Sequence, residues 1–206
     1  MQLINTKTQK LEADSVVCLG FFDGVHLGHG ALLHKARDIA QKEGYCMCVH
    51  TFDTSPSQQI RKDASWFELT LPSRKHQLIA QSGCQFLAVS SFDERMRTMK
   101  GKDFFEKILL KVLRAKVIIT GWNHRFGHKG DTDIRGLQTL CEEHGVVLHV
   151  VQKVSLPSGE NVSSTAIRKA LLCGEINLAE KMLGRVVDED TIKRCQNVKQ
   201  RGWENE

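Results

Sequence analysis

Short runs of β-branched and apolar residues alternate with segments of helical period along almost the whole chain, an order that predicts βαβ units closing into a parallel sheet. Val16-Val17-Cys18-Leu19-Gly20 reads as a buried strand. Residues 27–43 follow it with Leu32, Ala36, Ile39 and Ala40 on one helical face, and Gly44 stops the helix. Further strands are expected over 45–52, 85–89, 116–120 and 146–151. Helices are expected over 74–81, over 103–113 through Phe104, Ile108 and Val112, over 134–144, and from Ser164 and Asn177. The pattern implies an α/β fold with a doubly wound parallel sheet. One domain over 1–185 is expected, and the charged, weakly periodic residues 186–206 are expected as a frayed helix or loose tail.

The 206 residues suffice for one substantial core. A hydrophobic share of 41% and a charged share of 26%, with only 3 Pro, exclude a disordered or low-complexity chain. No apolar run is long enough to span a bilayer and the first residues lack a signal-peptide layout, so a cytoplasmic protein with no membrane partner is expected. Cys18, Cys46, Cys48, Cys84, Cys141, Cys173 and Cys195 are scattered without CxxC spacing, which indicates neither a disulfide framework nor a zinc site. The net charge of +5 favours anionic partners. Because the basic residues are dispersed and the aromatic share is 6%, small phosphorylated ligands are expected and nucleic acid is not. Nothing in the sequence specifies an oligomeric state.

In an open parallel sheet, ligands bind at the carboxyl ends of the strands. One such end carries Gly20-Phe21-Phe22-Asp23-Gly24-Val25-His26-Leu27-Gly28-His29, running into a helix whose first N–H groups point outward at an anion. Gly24 and Gly28 let backbone approach a ligand closely. His26 and His29, three apart, project from one face of the helix start. Two imidazole donors there could stabilise charge building on a phosphorus, each charge-assisted bond contributing about 1.5–3 kcal/mol and the helix end about 0.3–1 kcal/mol. Taken alone, a His-x-x-His pair is more often an ordinary surface or core feature. A zinc pair lacks a third ligand at recognisable spacing, so no metal is assigned to protein side chains.

A second motif, Val162-Ser163-Ser164-Thr165-Ala166-Ile167-Arg168, places serines at a helix N-cap, with Ile167, Leu171 and Leu172 as the buried stripe. Arg168, one turn in, can reach back across the helix mouth. Serine caps are common, so this motif gains weight only beside the first.

Together the motifs resemble the FMN adenylyltransferase module of bacterial FAD synthetases, within the Rossmann-like HxGH nucleotidyltransferase superfamily, over roughly residues 15 to 185. Thr51-Phe52-Asp53 with Pro56, Phe92-Asp93-Glu94, Gly101-Lys102-Asp103-Phe104, Gly121-Trp122-Asn123-His124-Arg125-Phe126-Gly127 and Leu183-Gly184-Arg185 follow the family's order. The resemblance implies adenylyl transfer from ATP to FMN, giving FAD and pyrophosphate, with Mg2+ accompanying ATP. It implies catalytic roles for His26, His29 and Arg168, an ATP site lined by Gly20, Phe21, Phe22, Asp23, Gly28, Ser163, Ser164 and Thr165, and flavin contacts from Phe52, Asn123 and Phe126.

Three departures stand out. Ser55-Pro56 replaces the family's usual His-Pro, Gly30 replaces a usual Gln, and the twenty-odd residues after Arg185 are too few for a riboflavin kinase module, so FMN is expected ready-made. Two alternatives stay open. One is a related small nucleotidyltransferase with another phosphorylated acceptor, such as a pantetheine, nicotinamide or sugar-alcohol phosphate. The other is a non-catalytic flavin- or nucleotide-binding paralogue. Residues 121–127 favour a flavin, Ser55 keeps the first alternative, and intact His26, His29 and Arg168 count against the second.

Overall fold

The computed structural model describes residues 1–61 and 65–201. In chain order the elements are β1 (Gln2–Asn5), β2 (Ser15–Leu19), α1 (Leu27–Glu43), β3 (Cys46–Phe52), α2 (Pro56–Arg61), α3 (Pro72–Gln81), β4 (Phe86–Ser90), α4 (Glu94–Thr98) and α5 (Gly101–Phe104), which continues as a π-helical stretch, Phe105–Leu110. There follow β5 (Ala115–Gly121), a 3-10 turn (His128–Gly130), α6 (Ile134–His144), β6 (Val147–Val151), α7 (Ser164–Leu172), α8 (Ile176–Leu183) and α9 (Glu189–Gln200). The sheet has the order β1-β4-β3-β2-β5-β6 with every pair parallel. β2 is buried at all five positions, which is why it reads as an unbroken apolar run. The strand order reverses about β2, whose carboxyl end leads into the Gly20 motif.

The chain divides into two compact units built from interleaved segments. The first, Met1–Phe21, Leu32–Ser55 and Ile79–Gln152, contains the whole sheet. Its core joins Val17, Leu19, Cys48, Ala88, Phe105, Leu109, Ile118 and Leu137. The second, Phe22–Ala31, Pro56–Leu78 and Lys153–Glu206, has its own core of Phe67, Leu69, Ile167, Leu171, Ala179, Met182, Cys195 and Val198.

Local chemistry sets most helix ends. The Asp133, Ser163 and Asp188 side chains accept from the Gly136, Ala166 and Thr191 amides and so cap α6, α7 and α9. α6 stops at Gly145, which is left-handed at φ 65°.

Several elements differ from expectation. β1 was not anticipated: only Ile4 of its four residues is buried, too short a pattern to register, and pairing with β4 makes it a strand. The single helix expected over 103–113 is a short α-turn followed by a wider π-turn, a register that turns the paired residues Phe104 and Phe105, then Ile108 and Leu109, into the core. Of the frayed helix or loose tail expected over 186–206, the structure has a helix, α9, and a packed one, with Thr191, Cys195 and Val198 buried; residues 202–206 lie outside the described residues. No helix among the described residues is long and apolar enough to cross a membrane.

Candidate active site

The segment between β2 and α1 is backbone under constraint. Phe22, Gly24 and Val25 all have positive φ, at 57°, 84° and 38°. For Phe22 and Val25 that conformation costs of order 1–3 kcal/mol each and persists only where the surroundings over-determine it. Here they do. The Gly24 amide donates to Thr70 Oγ1 at 2.9 Å, Ser164 Oγ donates to the Asp23 carbonyl at 2.9 Å, and the Arg185 guanidinium donates to the Gly24 and Val25 carbonyls at 2.5 and 3.2 Å.

That loop delivers His26 and His29 to the start of α1. Their rings stack with centroids 3.8 Å apart at 17°. His26 Nδ1 accepts from the His29 amide at 3.3 Å, so the neutral His26 ring carries its proton on Nε2. Phe22, fully buried, backs His29 with centroids 5.0 Å apart. His29 Nδ1 is buried without a hydrogen-bond partner among the described residues. Burial, then the charges of Arg185 and Arg168, pushes His26 down to about 4. Burial, then His26, Lys75 and Arg185, holds His29 well below the ordinary histidine value. Both imidazoles are therefore neutral near pH 7.

Asp23 is buried, and its Oδ1 accepts from the Leu69 and Thr70 amides at 2.9 and 3.2 Å. Its Oδ2 accepts from Arg168 Nη2. Burial pushes the Asp23 carboxyl up from its ordinary value, while Arg168, the Thr70 and Leu69 amides and Lys75 pull the other way. Arg168 Nε donates to the Phe67 carbonyl at 2.7 Å, and the guanidinium lies 5.1 Å from the centre of the Trp66 ring. Lys75 on α3 is as buried as Asp23 and acts on both Asp23 and His29. The carboxylate and each imidazole thus feel at least two of the cations Lys75, Arg168 and Arg185. Three cations, Lys75 buried and Arg168 and Arg185 partly so, outnumber the carboxylates Asp23 and Glu68 around neutral hydrogen-bond donors, which suits a polyphosphate.

Measured against the sequence reading, the structure brings His26, His29, Asp23, Gly28, Ser164 and Arg168 into the second unit. A Cβ on Gly28 would lie 3.1 Å from the His26 ring, so only glycine leaves that ring in place. Arg168, expected to reach for phosphate, bonds Asp23 and the Phe67 carbonyl, as a buried carboxylate needs a paired cation. Phe22, expected on the ATP wall, has its ring enclosed beneath His29. Ser163 caps α7, and Thr165 is exposed in its first turn. Gly20 and Phe21 close the sheet unit, the Gly20 amide donating to the His50 carbonyl at 3.3 Å and the Phe21 carbonyl accepting from Thr51 Oγ1 at 3.0 Å.

The expected flavin residues lie on the sheet unit. Phe52 meets His50 and Phe92 edge-on at 5.1 and 5.3 Å, and Phe126 meets Phe104 and His124 at 5.5 and 5.7 Å. His50 and Phe104, 5.3 Å apart, join the two into one chain of rings. Asn123 is exposed after β5. Sequence reasoning missed Lys75 and Trp66, which carry no motif, and used Arg185 only as a landmark. The adjacent Leu69-Thr70, whose amides hold Asp23, gave no signal either.

The sequence profile described as FAD synthetase matches residues 8–166. A bifunctional riboflavin kinase/FMN adenylyltransferase of Escherichia coli is 31% identical over 198 residues, which are 93% of this chain and 63% of that protein. Its namesake in Listeria monocytogenes is 31% identical over 87% of this chain and 56% of its own length. The chain thus spans less than two thirds of these relatives. Among solved structures, one described as a macrolide-efflux protein from Streptococcus pneumoniae superposes with a TM-score of 0.79 at 27% identity, covering 91% of this chain and 61% of that one. A pantoate-beta-alanine ligase from Francisella tularensis, at a TM-score of 0.56 and 15% identity over 98% of this chain and 86% of that one, shares the fold. With the profile spanning most of the chain and the parallel sheet and His26-Leu27-Gly28-His29 helix start in place, this protein belongs to the FAD synthetase family.

Proposed function

We propose that this chain transfers the adenylyl group of ATP to FMN, giving FAD and pyrophosphate. An FMN phosphate oxygen attacks the α-phosphorus of ATP, a new P–O bond forms, and the bond to the oxygen bridging to the β-phosphorus breaks to release pyrophosphate. The electron pair leaves with pyrophosphate, and no covalent enzyme intermediate is required. Mg2+ enters as part of the MgATP substrate and neutralises phosphate charge.

The observation that carries this reading is the stacked, neutral His26–His29 pair at the start of α1 under the field of Lys75, Arg168 and Arg185. His26 Nε2–H is a ready donor to a phosphate oxygen, and His29 stands beside it. A preorganised donor of this kind is worth about 10²–10³ in rate where water is excluded. Arg168, held by Asp23, supplies positive charge at a fixed position, with Ser163, Ser164 and Thr165 around the start of α7. Gly20 to Asp23 and Gly28 are the proposed backbone contacts to ATP. Phe52, Asn123 and Phe126 are the proposed flavin contacts. The proposal concerns adenylyl transfer alone among the activities that the relatives' names join. Cysteines that form no disulfide among the described residues suit a reducing, cytoplasmic setting.

Purified protein with MgATP and FMN is expected to release pyrophosphate and form FAD, and with riboflavin in place of FMN to form none. Failure to release pyrophosphate with FMN overturns the reading.

A further inference from the structure

α9 begins more than twenty residues beyond the end of the family match, yet it is hydrogen-bonded to the segment that holds the Asp23 carboxylate. Residues 66–70 have no regular structure, so their backbone groups need partners from elsewhere. The partners fall on two sides. In the peptide unit between Glu68 and Leu69, the carbonyl accepts from Arg194 Nε at 2.8 Å, while the amide donates to Asp23 Oδ1 at 2.9 Å. In the next unit, the Leu69 carbonyl accepts from Thr191 Oγ1 at 2.7 Å, while the Thr70 amide donates to the same Asp23 oxygen at 3.2 Å. A trans peptide is planar with its C=O and N–H on opposite sides. Two consecutive peptide planes are therefore pinned at the oxygen by α9 and at the nitrogen by Asp23, and tilting either plane moves both ends together.

The α9 side of this linkage is itself fixed. Thr191 is 1% exposed, its Oγ1 also lies 2.7 Å from Asp188 Oδ1 and accepts from Arg194 Nη2 at 3.0 Å, and Asp188 caps the helix. Cys195 and Val198 share the core containing Phe67 and Leu69. From residues 66–70 the constraint reaches the cation directly, because Arg168 bonds Asp23 and the Phe67 carbonyl and lies over Trp66.

We propose that α9 is a positioning element of the nucleotide site, with Thr191 and Arg194 as positioning residues that hold two peptide planes against Asp23 and so keep Arg168 aimed. The inference rests on the adenylyl-transfer reading. It assigns a role to a helix that the sequence presents as a charged tail.

The test is Thr191→Val, which keeps the shape and removes the hydroxyl, beside Thr191→Ser, which restores it. Steady-state FAD formation, calorimetric binding of MgATP without flavin, and thermal melting are measured for each. Thr191→Val is expected to lower kcat/KM for ATP by about tenfold and to weaken MgATP binding, with the KM for FMN close to wild type and the melting temperature lowered by only a few degrees. Thr191→Ser is expected to recover to within about twofold of wild type. Should Thr191→Val fail to fold, Arg194→Met carries the same comparison. Unchanged kcat/KM and MgATP affinity in a folded variant overturns the proposal, as does a loss that falls equally on both substrates and on melting. A wild type that binds MgATP but makes no FAD sinks the acceptor assignment alone, and the affinity difference still decides the role of α9. A wild type that does not bind MgATP overturns both.

Discussion

His26 and His29 stack ring on ring at 3.8 Å, with the His29 amide donating to His26 Nδ1, so that each fixes the other before any ligand arrives. Removing either ring removes a proposed phosphate donor and frees its neighbour to turn. His29→Ala is expected to lower kcat by roughly 10²–10³, with a smaller change in the KM for ATP, read from steady-state FAD formation. Turnover near wild type would mean that the pair is not the catalytic apparatus.

The Asp23–Arg168 pair is enclosed, with side-chain exposures of 4% and 12%. Taking one member away leaves a buried charge without its partner, at a cost of about 3–5 kcal/mol, whereas removing both costs much less. Asp23→Asn is therefore expected to be strongly destabilised. The double variant Asp23→Asn, Arg168→Met is expected to recover part of the loss while remaining inactive. Urea denaturation of both variants beside wild type checks the stability order.

Burial lowers His26 to about 4, His50 to about 3 and His124 to about 4 from an ordinary value of 6.5. Below 6.5 the unfolded chain takes up protons at these rings that the folded chain refuses, so stability is complete above that pH and drains away as pH falls toward the folded values. Asp23 and Glu68, shifted upward, act with the opposite sign but as two groups against six lowered histidines, His29, His76 and His149 included. The melting temperature is expected to drop between about pH 7 and about pH 4.5. His50→Gln, which can keep a bond to Ser90 Oγ, is expected to flatten that slope. A pH-independent melting temperature over this range contradicts the assignment.

Gly28 separates stability from activity. Alanine at the second residue of α1 gains at most about 1 kcal/mol of helix propensity, while its Cβ meets His26 Cε1 and Nδ1 at 3.1 Å and turns the ring aside. Gly28→Ala is expected to melt no lower than wild type and to turn over at least about tenfold more slowly. A variant that is both stable and fully active would show that the orientation of His26 does not matter.

Where a contact is local, the residues announce it. The α1 and α6 boundaries fall at Leu27–Glu43 and Ile134–His144 as expected, because the apolar period, Gly44 and Gly145 lie within each segment. β1 and the packing of α9 were missed for the opposite reason. One buried residue in four, or three in twelve, makes no pattern until β4 or the core around Leu69 supplies the other half. The candidate site divides the same way: the spacing of His26 and His29 is visible in four residues, whereas Lys75 stands in a helix with nothing to mark it.

The chain order of strands and helices, and a histidine pair at a helix start, were determined by periodicity and by residue chemistry that acts over a few positions. That is enough to imply a parallel sheet and a phosphate-binding mouth. Only the tertiary structure decided that Asp23 would meet Arg168, that Lys75 and Arg185 would add their charge to the imidazoles, and that α9 would grip the far side of residues 66–70. These partners are separated by tens of residues to well over a hundred, and desolvating a carboxylate or an open peptide plane compels a partner without specifying which one; chain topology makes that choice.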